Sequence, residues 1–379
     1  MKHINITSGE EIISRILVED GLDALEDVLH LYDKVYAVMD RTVAMNCPAS
    51  LRIADILNGR DVPGMLIEAS EGGKTMDTVM EICSWLLEQG ADRDALVLAI
   101  GGGITSDMVG FAASIYKRGV RFAYIPTTLL AQVDAAIGGK TGVNFERYKN
   151  ILGIIRQPEF TYLCPQVLES LSQRDFLSGV AEALKTFIIE DNDNYEKAVA
   201  LFSSMNVECC TDVDRGGSDT EAWADIVASH SAELTELIYA AASVKAGVVS
   251  RDQFEKGERR KLNLGHTFAH AIETLARKKE MDITHGEAVA MGIIMAAELS
   301  ENIYSCNLFQ RLEDDFFACG LPVHCPFIIQ EMAEVMKKDK KAEGTKVHFI
   351  LPVAVGDVRI VDFSVEEVVS LMTHNRIEQ

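Results

Sequence analysis

The chain has 379 residues, 48% of them hydrophobic and 25% charged, which is enough for two globular domains. Its formal net charge of −22 argues against non-specific binding to nucleic acid or to an anionic membrane surface. The longest apolar stretches fall short of the roughly 18 to 20 residues that span a bilayer. Because the sequence opens without a secretory signal pattern, we expect a cytoplasmic protein with no membrane partner.

The first 160 residues alternate short apolar runs with amphipathic stretches. Strands are predicted at residues 35–39, 65–68, 95–100 and 122–125, and a helix follows the third strand from about residue 106 to 116. Strand, glycine turn, helix and strand in succession indicate an open, mostly parallel sheet covered by helices. We therefore predict an α/β domain over residues 1–160.

From about residue 165 the pattern changes to amphipathic helices, with a boundary predicted near Gln157-Pro158. Residues 347–351 and 358–361 are apolar runs separated by Pro352 and Gly356-Asp357, which predicts a hairpin. A loop is predicted at residues 211–220, which include Gly216-Gly217-Ser218. Residues 161–379 are thus predicted to form a mainly α-helical domain.

Gly101-Gly102-Gly103 closes a predicted strand and opens a helix, with Asp107 expected in the first turn of that helix. Glycines let backbone amides approach a diphosphate, and a helix N-terminus favours negative charge. The order differs from the G-x-G-x-x-G fingerprint, so a simple tight turn stays as the alternative.

Residues 126–141 carry three threonine hydroxyls, the carboxylate of Asp134, a Gly-Gly turn and Lys140 within one connection. Gly-Gly-Lys-Thr resembles the end of a P-loop, but Asp134 occupies the position of the earlier glycine. This argues against a nucleoside triphosphatase.

Two histidines, His266 and His270, are four residues apart, and His285 follows in the run Thr-His-Gly-Glu. Positions i and i+4 share one face of a helix, and Asn263 and Glu273 extend the same stripe. Histidines in this arrangement suit zinc. The alternative is a solvated helix with incidental histidines.

Glu182 lies in an apolar helical stretch with Lys185 on the same face. A buried carboxylate is costly unless it is paired or ligated, so Glu182 is the candidate third metal ligand beside His266 and His285. A surface Glu182–Lys185 pair is the alternative. Cations gather in or near these segments, which favours a phosphorylated or carboxylated small substrate over scattered surface lysines; they are Arg118, Lys140, Lys149, Lys185, Lys245 and Arg259.

The ordered series of these segments, with Lys149-Asn150 between them, resembles the 3-dehydroquinate synthase family over roughly residues 35 to 350. The resemblance implies an N-terminal Rossmann-like domain that binds NAD, a helical domain that binds metal and substrate, and a homodimer. It implies that a phosphorylated sugar acid, 3-deoxy-D-arabino-heptulosonate 7-phosphate, becomes 3-dehydroquinate and phosphate, with NAD acting catalytically beside a divalent metal.

Position by position, the resemblance implies that Glu182, His266 and His285 bind zinc or cobalt. It implies substrate-binding and proton-transfer roles for Arg118, Asp134, Lys140, Lys149, Asn150, Lys185, Lys245, Arg259, Asn263, His270 and Lys340, the last favoured over Lys341. It implies NAD contacts from Asp40, Glu71, Lys74, Gly102, Gly103, Ile104, Asp107, Thr127, Thr128, Leu130, Lys140 and Lys149.

The chain departs from the family pattern at Ala135, where serine is frequent, and at residues 144–148, which lack the usual proline and glycine. Sedoheptulose 7-phosphate cyclases that make valiolones vary in this region, so such a cyclase is one competing interpretation. Those cyclases usually have other residues at the positions of Asn263 and His270, so these two residues favour dehydroquinate as the product.

Two more functions compete with the cyclase: a metal-dependent polyol dehydrogenase of the glycerol dehydrogenase type, and a non-catalytic binding protein. The Pro-Thr-Thr and Gly-Gly-Lys-Thr blocks favour the cyclase over the dehydrogenase. The number of polar groups that are energetically costly to bring together argues against a non-catalytic binding protein, which would not need them all.

Overall fold

The computed structural model describes residues 1–146, 148–214, 219–339 and 346–374, without the side chains of 210–214, 219–222, 338–339 and 374. The chain forms two compact units. The first comprises Met1–Phe176 and Asp212–Phe254, and the second comprises Leu177–Thr211 and Glu255–Gln379. The division into residues 1–160 and 161–379 stays a prediction.

The first unit is built on a seven-stranded sheet of order β1-β2-β9-β6-β5-β3-β4, and β7 and β8 form a separate hairpin. The strands are β1 (Lys2–Ser8), β2 (Glu11–Val18), β3 (Val35–Asp40), β4 (Gly64–Ile67), β5 (Leu96–Gly101), β6 (Arg121–Pro126), β7 (Lys140–Phe145), β8 (Tyr148–Ile155) and β9 (Phe160–Leu163). Within the large sheet β1 pairs antiparallel with β2, and the other described pairs are parallel. The predicted mostly parallel sheet is confirmed, and each of the four predicted strands is present.

The first unit also contains several helices. They are α1 (Leu25–Leu29), α2 (Arg41–Asn46), α3 (Ala49–Asn58), α4 (Met76–Glu88), α5 (Gly103–Ile115), α8 (Asp219–Ser229) and α9 (Ser231–Arg251). All six residues of β5 are buried, and on one face of this strand Val97 and Ala99 pack against apolar side chains from α4 and α5. Helix α5 begins at Gly103, earlier than the predicted residue 106, so Asp107 lies in its second turn and not in its first.

The strand order places a switch point at the carboxyl ends of β3 and β5. After β3 the chain forms β4 on one side of it, and β5 then pairs on the other side. In open α/β sheets such a point leaves a crevice where ligands bind. Asp40 ends β3 and Gly101 ends β5, so the predicted glycine turn and the predicted carboxylate both border this crevice.

The Gly-Gly-Lys-Thr block is a turn into a strand. Gly138 (φ 101°) and Gly139 (φ 70°) have left-handed backbone conformations, and Lys140 begins β7 directly after them. A P-loop would instead lead into a helix, so this turn is not that of a P-loop triphosphatase. The β7–β8 hairpin itself was not predicted, because none of the described residues of β8 is buried and its sequence lacks an alternating apolar face.

The second unit is mainly helical. Its elements are most of α6 (Gln173–Glu190) and α7 (Asn192–Asp214), with α10 (His266–Lys278), α11 (His285–Tyr304), α12 (Phe309–Ala318), α13 (Ile329–Asp339), β10 (Val347–Ala354), β11 (Asp357–Phe363) and α14 (Val365–His374). The antiparallel β10–β11 hairpin confirms the predicted one. None of the described helices has the length and apolar character needed to cross a membrane.

The loop predicted at residues 211–220 is wrong at both ends. Helix α7 continues to Asp214 and α8 begins at Asp219, while residues 215–218 lie outside the described ranges. The Gly-Gly-Ser triplet suggested a long break, but the polar residues on either side of it continue the flanking helices.

Candidate functional site

Glycine at position 286 brings the start of α11 close to α6. A Cβ on Gly286 would lie 2.6 Å from Ser178 O and 2.7 Å from Ser178 Cβ, so a larger residue would force the two helices apart. Thr284 caps α11 by accepting a hydrogen bond from Glu287 N, and Glu287 Oε2 accepts one in return from Thr284 N. The Glu of the His-Gly-Glu run is therefore a helix cap, and the cap fixes His285 as the first residue of α11.

A second close approach fixes His266. Gly265 precedes α10 with φ 77°, and a Cβ there would lie 2.8 Å from Ile293 N on α11. Only glycine combines this left-handed conformation with such a contact at little cost. His266 is consequently the first residue of α10, with its ring centroid 5.5 Å from that of His285 and 5.7 Å from that of His270.

Glu182 of α6 is fully buried and lies between these two histidines. Its Oε1 is 3.3 Å from His285 Nε2 and 3.7 Å from His266 Nε2, and one ligand atom from each of the three residues lies within 4.8 Å of the others. A carboxylate and two imidazoles form the donor set of catalytic zinc sites that keep a position open for substrate. The three residues predicted as ligands thus come together and fit a divalent metal.

Lys185 also contacts the Glu182 carboxylate, and both side chains are buried. The predicted possibility of a surface pair is therefore wrong. Removing either partner would leave an uncompensated charge in the interior, so the two residues are energetically linked.

Electrostatics separate the two histidines. Burial first, and then the charge of Lys185, lowers the pKa of His266 to about 3, so this imidazole is neutral. Its Nδ1 lies 3.1 Å from Leu264 O, and a proton donated there leaves Nε2 as the electron-pair donor. Burial acts to lower the pKa of His285, but hydrogen bonds with Glu182 and Glu273 outweigh it and raise that pKa to about 10. A metal bound at His285 would therefore displace a proton.

Asn263 does not belong to the helix of the two histidines. It ends the 3-10 helix Glu258–Asn263, and the left-handed Gly265 separates it from α10. The predicted single stripe is correct for His266, His270 and Glu273 and wrong for Asn263. Asn263 Nδ2 donates a 2.7 Å hydrogen bond to Glu255 Oε1. Sequence reasoning missed Glu255, because it lies in the turn between α9 and this 3-10 helix and not on a regular element shared with Asn263.

The remaining predicted residues of the second unit are less clustered. Arg259 lies on the same 3-10 helix as Asn263 and is 2% exposed, whereas His270 is exposed on α10. Lys340 and Lys341 lie outside the described residues.

Lys74 is the centre of a polar cluster in the first unit. It is buried, and its Nζ lies 2.5 Å from Asp107 Oδ2 and donates to Asn150 Oδ1 at 2.6 Å. Burial raises the pKa of Asp107 to about 6, with Lys74 opposing the shift. Asn150 is the third residue of β8 and has a left-handed backbone conformation (φ 53°), on which its contact with Lys74 depends.

The β7–β8 hairpin extends this cluster toward the chain before α4. Asn144 Nδ2 donates to Glu71 Oε1 at 2.9 Å, and Asn144 Oδ1 accepts from Asn150 N at 2.9 Å. Lys149 Nζ lies 3.7 Å from Glu71 Oε1. Five predicted residues (Glu71, Lys74, Asp107, Lys149 and Asn150) are therefore brought together here.

The glycine turn packs against the Pro-Thr-Thr block. A Cβ on Gly102 would lie 3.0 Å from Thr128 Cγ2, and one on Gly103 would lie 2.9 Å from Ala135 Cβ. Gly102 has φ −75°, so close packing explains these glycines better than a tight turn does. Gly102 has no side chain to cap α5, and the first amides of a helix in that situation suit a diphosphate. Predicted NAD contacts flank this turn at Asp40, Ile104, Thr127, Thr128 and Leu130.

Asp134 lies on a π-helical turn, Ala131–Ala135, and is held by Lys245 of α9. Lys245 Nζ donates to both Asp134 O and Asp134 Oδ1 at 2.6 Å. Arg118 is exposed with φ 69° at the end of the 3-10 turn Tyr116–Arg118, and Lys140 is exposed at the start of β7.

Family models identify the chain. The model described as 3-dehydroquinate synthase N-terminal matches residues 64–178, and the one described as 3-dehydroquinate synthase C-terminal matches residues 179–342. The chain belongs to the 3-dehydroquinate synthase family. The predicted family is therefore confirmed over most of the sequence.

Individual relatives agree with this membership. A 3-dehydroquinate synthase from Idiomarina loihiensis is 37% identical over 324 residues, which cover 85% of this chain and 82% of that one. One from Prochlorococcus marinus is 35% identical over 365 residues, or 95% of this chain and 93% of that one. Among solved structures, the 2-epi-5-epi-valiolone synthase of Streptomyces hygroscopicus subsp. jinggangensis, with NAD+ and Zn2+ bound, has a TM-score of 0.80 at 27% identity. That match covers 99% of this chain and all of the other.

Proposed function

We propose that this chain converts 3-deoxy-D-arabino-heptulosonate 7-phosphate into 3-dehydroquinate and phosphate. The observation that carries the proposal is the convergence of Glu182, His266 and His285 in a member of the 3-dehydroquinate synthase family. The family supplies the substrate class, and the donor set supplies a site for the divalent metal that the reaction requires.

The chain's own groups suit both cofactors. Glu182, His266 and His285 would hold zinc or cobalt, and the uncapped start of α5 beside the switch point would hold the diphosphate of NAD. Asp40 at the end of β3 is a candidate partner for a ribose hydroxyl. When bound, NAD supplies a transient oxidation of the substrate, and the metal stabilises negative charge developing on a substrate oxygen.

The polar residues divide by chemistry. Arg118, Lys149 and Asn150 would bind the phosphate, and Lys140 and Arg259 would bind the carboxylate and hydroxyl end. His270 and Asn263 would handle protons, since an exposed imidazole one turn beyond a ligand can reach substrate without contacting the metal. Lys185, Lys245 and Asp134 would orient these groups through their ion pairs, and Lys340 would complete the set.

Two different reactions compete with this proposal. A valiolone-type cyclase would act on sedoheptulose 7-phosphate, and a polyol dehydrogenase would accumulate NADH. Relatives at 35% and 37% identity that are named 3-dehydroquinate synthase favour dehydroquinate, as do Asn263 and His270. A homodimer and a cytoplasmic location stay predictions.

The direct test incubates the purified protein with NAD, zinc and each phosphorylated sugar in turn. We expect phosphate release from the heptulosonate phosphate without accumulation of NADH, which is followed by its absorbance. Phosphate release from sedoheptulose 7-phosphate, and not from the heptulosonate phosphate, would identify the former as the substrate. Net NADH in step with substrate loss would instead assign a dehydrogenase.

A substitution separates proton transfer from metal binding. His270→Ala should keep zinc and lose turnover by about 10²- to 10⁴-fold, the usual range for a general acid or base. Zinc content by atomic absorption and phosphate release on the same sample measure both. Loss of zinc in this variant would make His270 a ligand.

A further inference from the structure

We infer that Glu273 is a positioning residue for the metal site, because it receives the ring of His285 on the side away from Glu182. Glu273 Oε1 lies 3.5 Å from His285 Nδ1, while His285 Nε2 lies 3.3 Å from Glu182 Oε1. The imidazole of His285 is therefore held between two carboxylates, of which only Glu182 belongs to the metal-ligand set.

The position of Glu273 in the fold supports this role. It lies on α10, the helix that begins with His266, and its side chain is 14% exposed. One helix thus supplies a metal ligand at its start and the partner of a second ligand two turns later. Moving α10 would disturb both histidines together.

The two histidines have different kinds of partner at Nδ1. His266 Nδ1 lies 3.1 Å from a backbone oxygen, Leu264 O, which no substitution removes. His285 Nδ1 faces a side-chain carboxylate, which fixes the ring and raises the basicity of Nε2 more strongly than a neutral acceptor does. The metal affinity should therefore depend on the identity of residue 273.

This inference rests on the proposed metal site, and zinc affinity tests it without any assay of turnover. The metal-stripped wild type, Glu273→Ala and Glu273→Gln are titrated with zinc against a competing chelator. Glu301→Gln is the matched control, because Glu301 lies on α11 with His285 but accepts its hydrogen bond from Phe309 N instead. We expect Glu273→Ala to weaken zinc binding about 10- to 100-fold, the range known for such partners.

Glu273→Gln should fall between wild type and Glu273→Ala, because an amide oxygen can still accept the Nδ1 proton but carries no charge. The absorption spectrum of the cobalt-loaded protein should change in Glu273→Ala and stay unchanged in Glu301→Gln. If Glu273→Ala fails to fold, the glutamine variant alone decides: a loss of zinc affinity greater than about twofold supports the role of Glu273, and a smaller change overturns it.

The outcomes are distinguishable. A wild type that binds no zinc would contradict the proposed metal site itself. A wild type that binds zinc, with both Glu273 variants within twofold of it and an unchanged cobalt spectrum, would overturn only the role of Glu273. Equal losses in Glu273→Gln and Glu301→Gln would also overturn it, because they would indicate a general effect on the helices.

Discussion

Each unit of this protein contains a buried lysine paired with a carboxylate, which is half-buried in the first unit and fully buried in the second. Lys74 is shared between Asp107 and the amide oxygen of Asn150, so positive charge is met by oxygen acceptors alone. In the second unit the carboxylate is shared, because Glu182 contacts Lys185 and also faces two imidazole nitrogens. The first arrangement orients the Lys74 ammonium as a hydrogen-bond donor. The second brings a carboxylate and two imidazole nitrogens together, and these electron-pair donors require a proton or a metal ion between them.

The largest expected effect comes from removing the shared carboxylate. Glu182→Ala should abolish zinc binding and turnover, and the buried Lys185 it leaves behind should lower the free energy of unfolding by roughly 3–5 kcal/mol. Asp175→Asn is the control, because Asp175 is an exposed carboxylate on the same helix. Zinc content, phosphate release and urea unfolding measure these effects. A fully active variant that keeps its metal would remove Glu182 from the ligand set.

The corresponding change in the first unit should act on stability and NAD, not on the metal. Lys74→Met leaves the half-buried Asp107 without its cation, which should lower the free energy of unfolding by about 3 kcal/mol and weaken NAD binding. Lys34→Met is matched to it, since Lys34 pairs with Asp92 at the surface, and should change little. Urea unfolding and NAD titration in the two variants measure the difference. Equal effects in both variants, or zinc loss in Lys74→Met, would contradict the claim that the two pairs have different roles.

Acid titration distinguishes the two pairs further. Burial raises the pKa of Asp107 from 3.8 to about 6, so its contribution to stability is full below about pH 3.8 and is lost as the pH rises through 6. The free energy of unfolding of wild type minus that of Asp107→Asn should therefore fall by about 3 kcal/mol across this window and stay constant above pH 7. Urea unfolding at pH 4, 5, 6 and 7 measures it. A difference that is constant or increases with pH would contradict the burial of this carboxyl.

The smallest expected effect comes from the glycine that lets α11 meet α6. Gly286→Ala places a methyl group against Ser178 and should lower the free energy of unfolding by about 1–3 kcal/mol, with weaker zinc binding because His285 moves. Gly247→Ala on α9 meets only the flexible end of Arg251 at 3.3 Å and should be tolerated. Thermal unfolding with and without zinc compares them. Unchanged zinc binding in Gly286→Ala would show that this contact does not position His285.

These two pairs also differ in how far the sequence predicts them. The i, i+4 spacing of His266 and His270 indicated a metal site, with His285 as a third histidine in the run Thr-His-Gly-Glu. Glu182 was predicted as a ligand because an acid in an apolar stretch needs a partner. Lys74, Asp107 and Asn150 are separated by 33 and 43 residues, and no local pattern joins them. Of the three, Lys74 was named by the family resemblance alone, and nothing in the sequence predicted that it contacts the other two. Asn263 was predicted on the wrong helix for a related reason. Its spacing to His266 fits a single helix, but the left-handed Gly265 between them separates Asn263 from α10.

The central claim is that a metal held by Glu182, His266 and His285 is required for a phosphate-releasing cyclisation that leaves NAD unchanged overall. The most direct measurement loads the metal-stripped protein with increasing zinc and follows phosphate release and NADH absorbance from heptulosonate phosphate in the same sample. We predict that phosphate release rises in proportion to bound zinc up to one ion per chain, with no net NADH. Full phosphate release without metal, or NADH formed in equal amount to phosphate, would contradict the account.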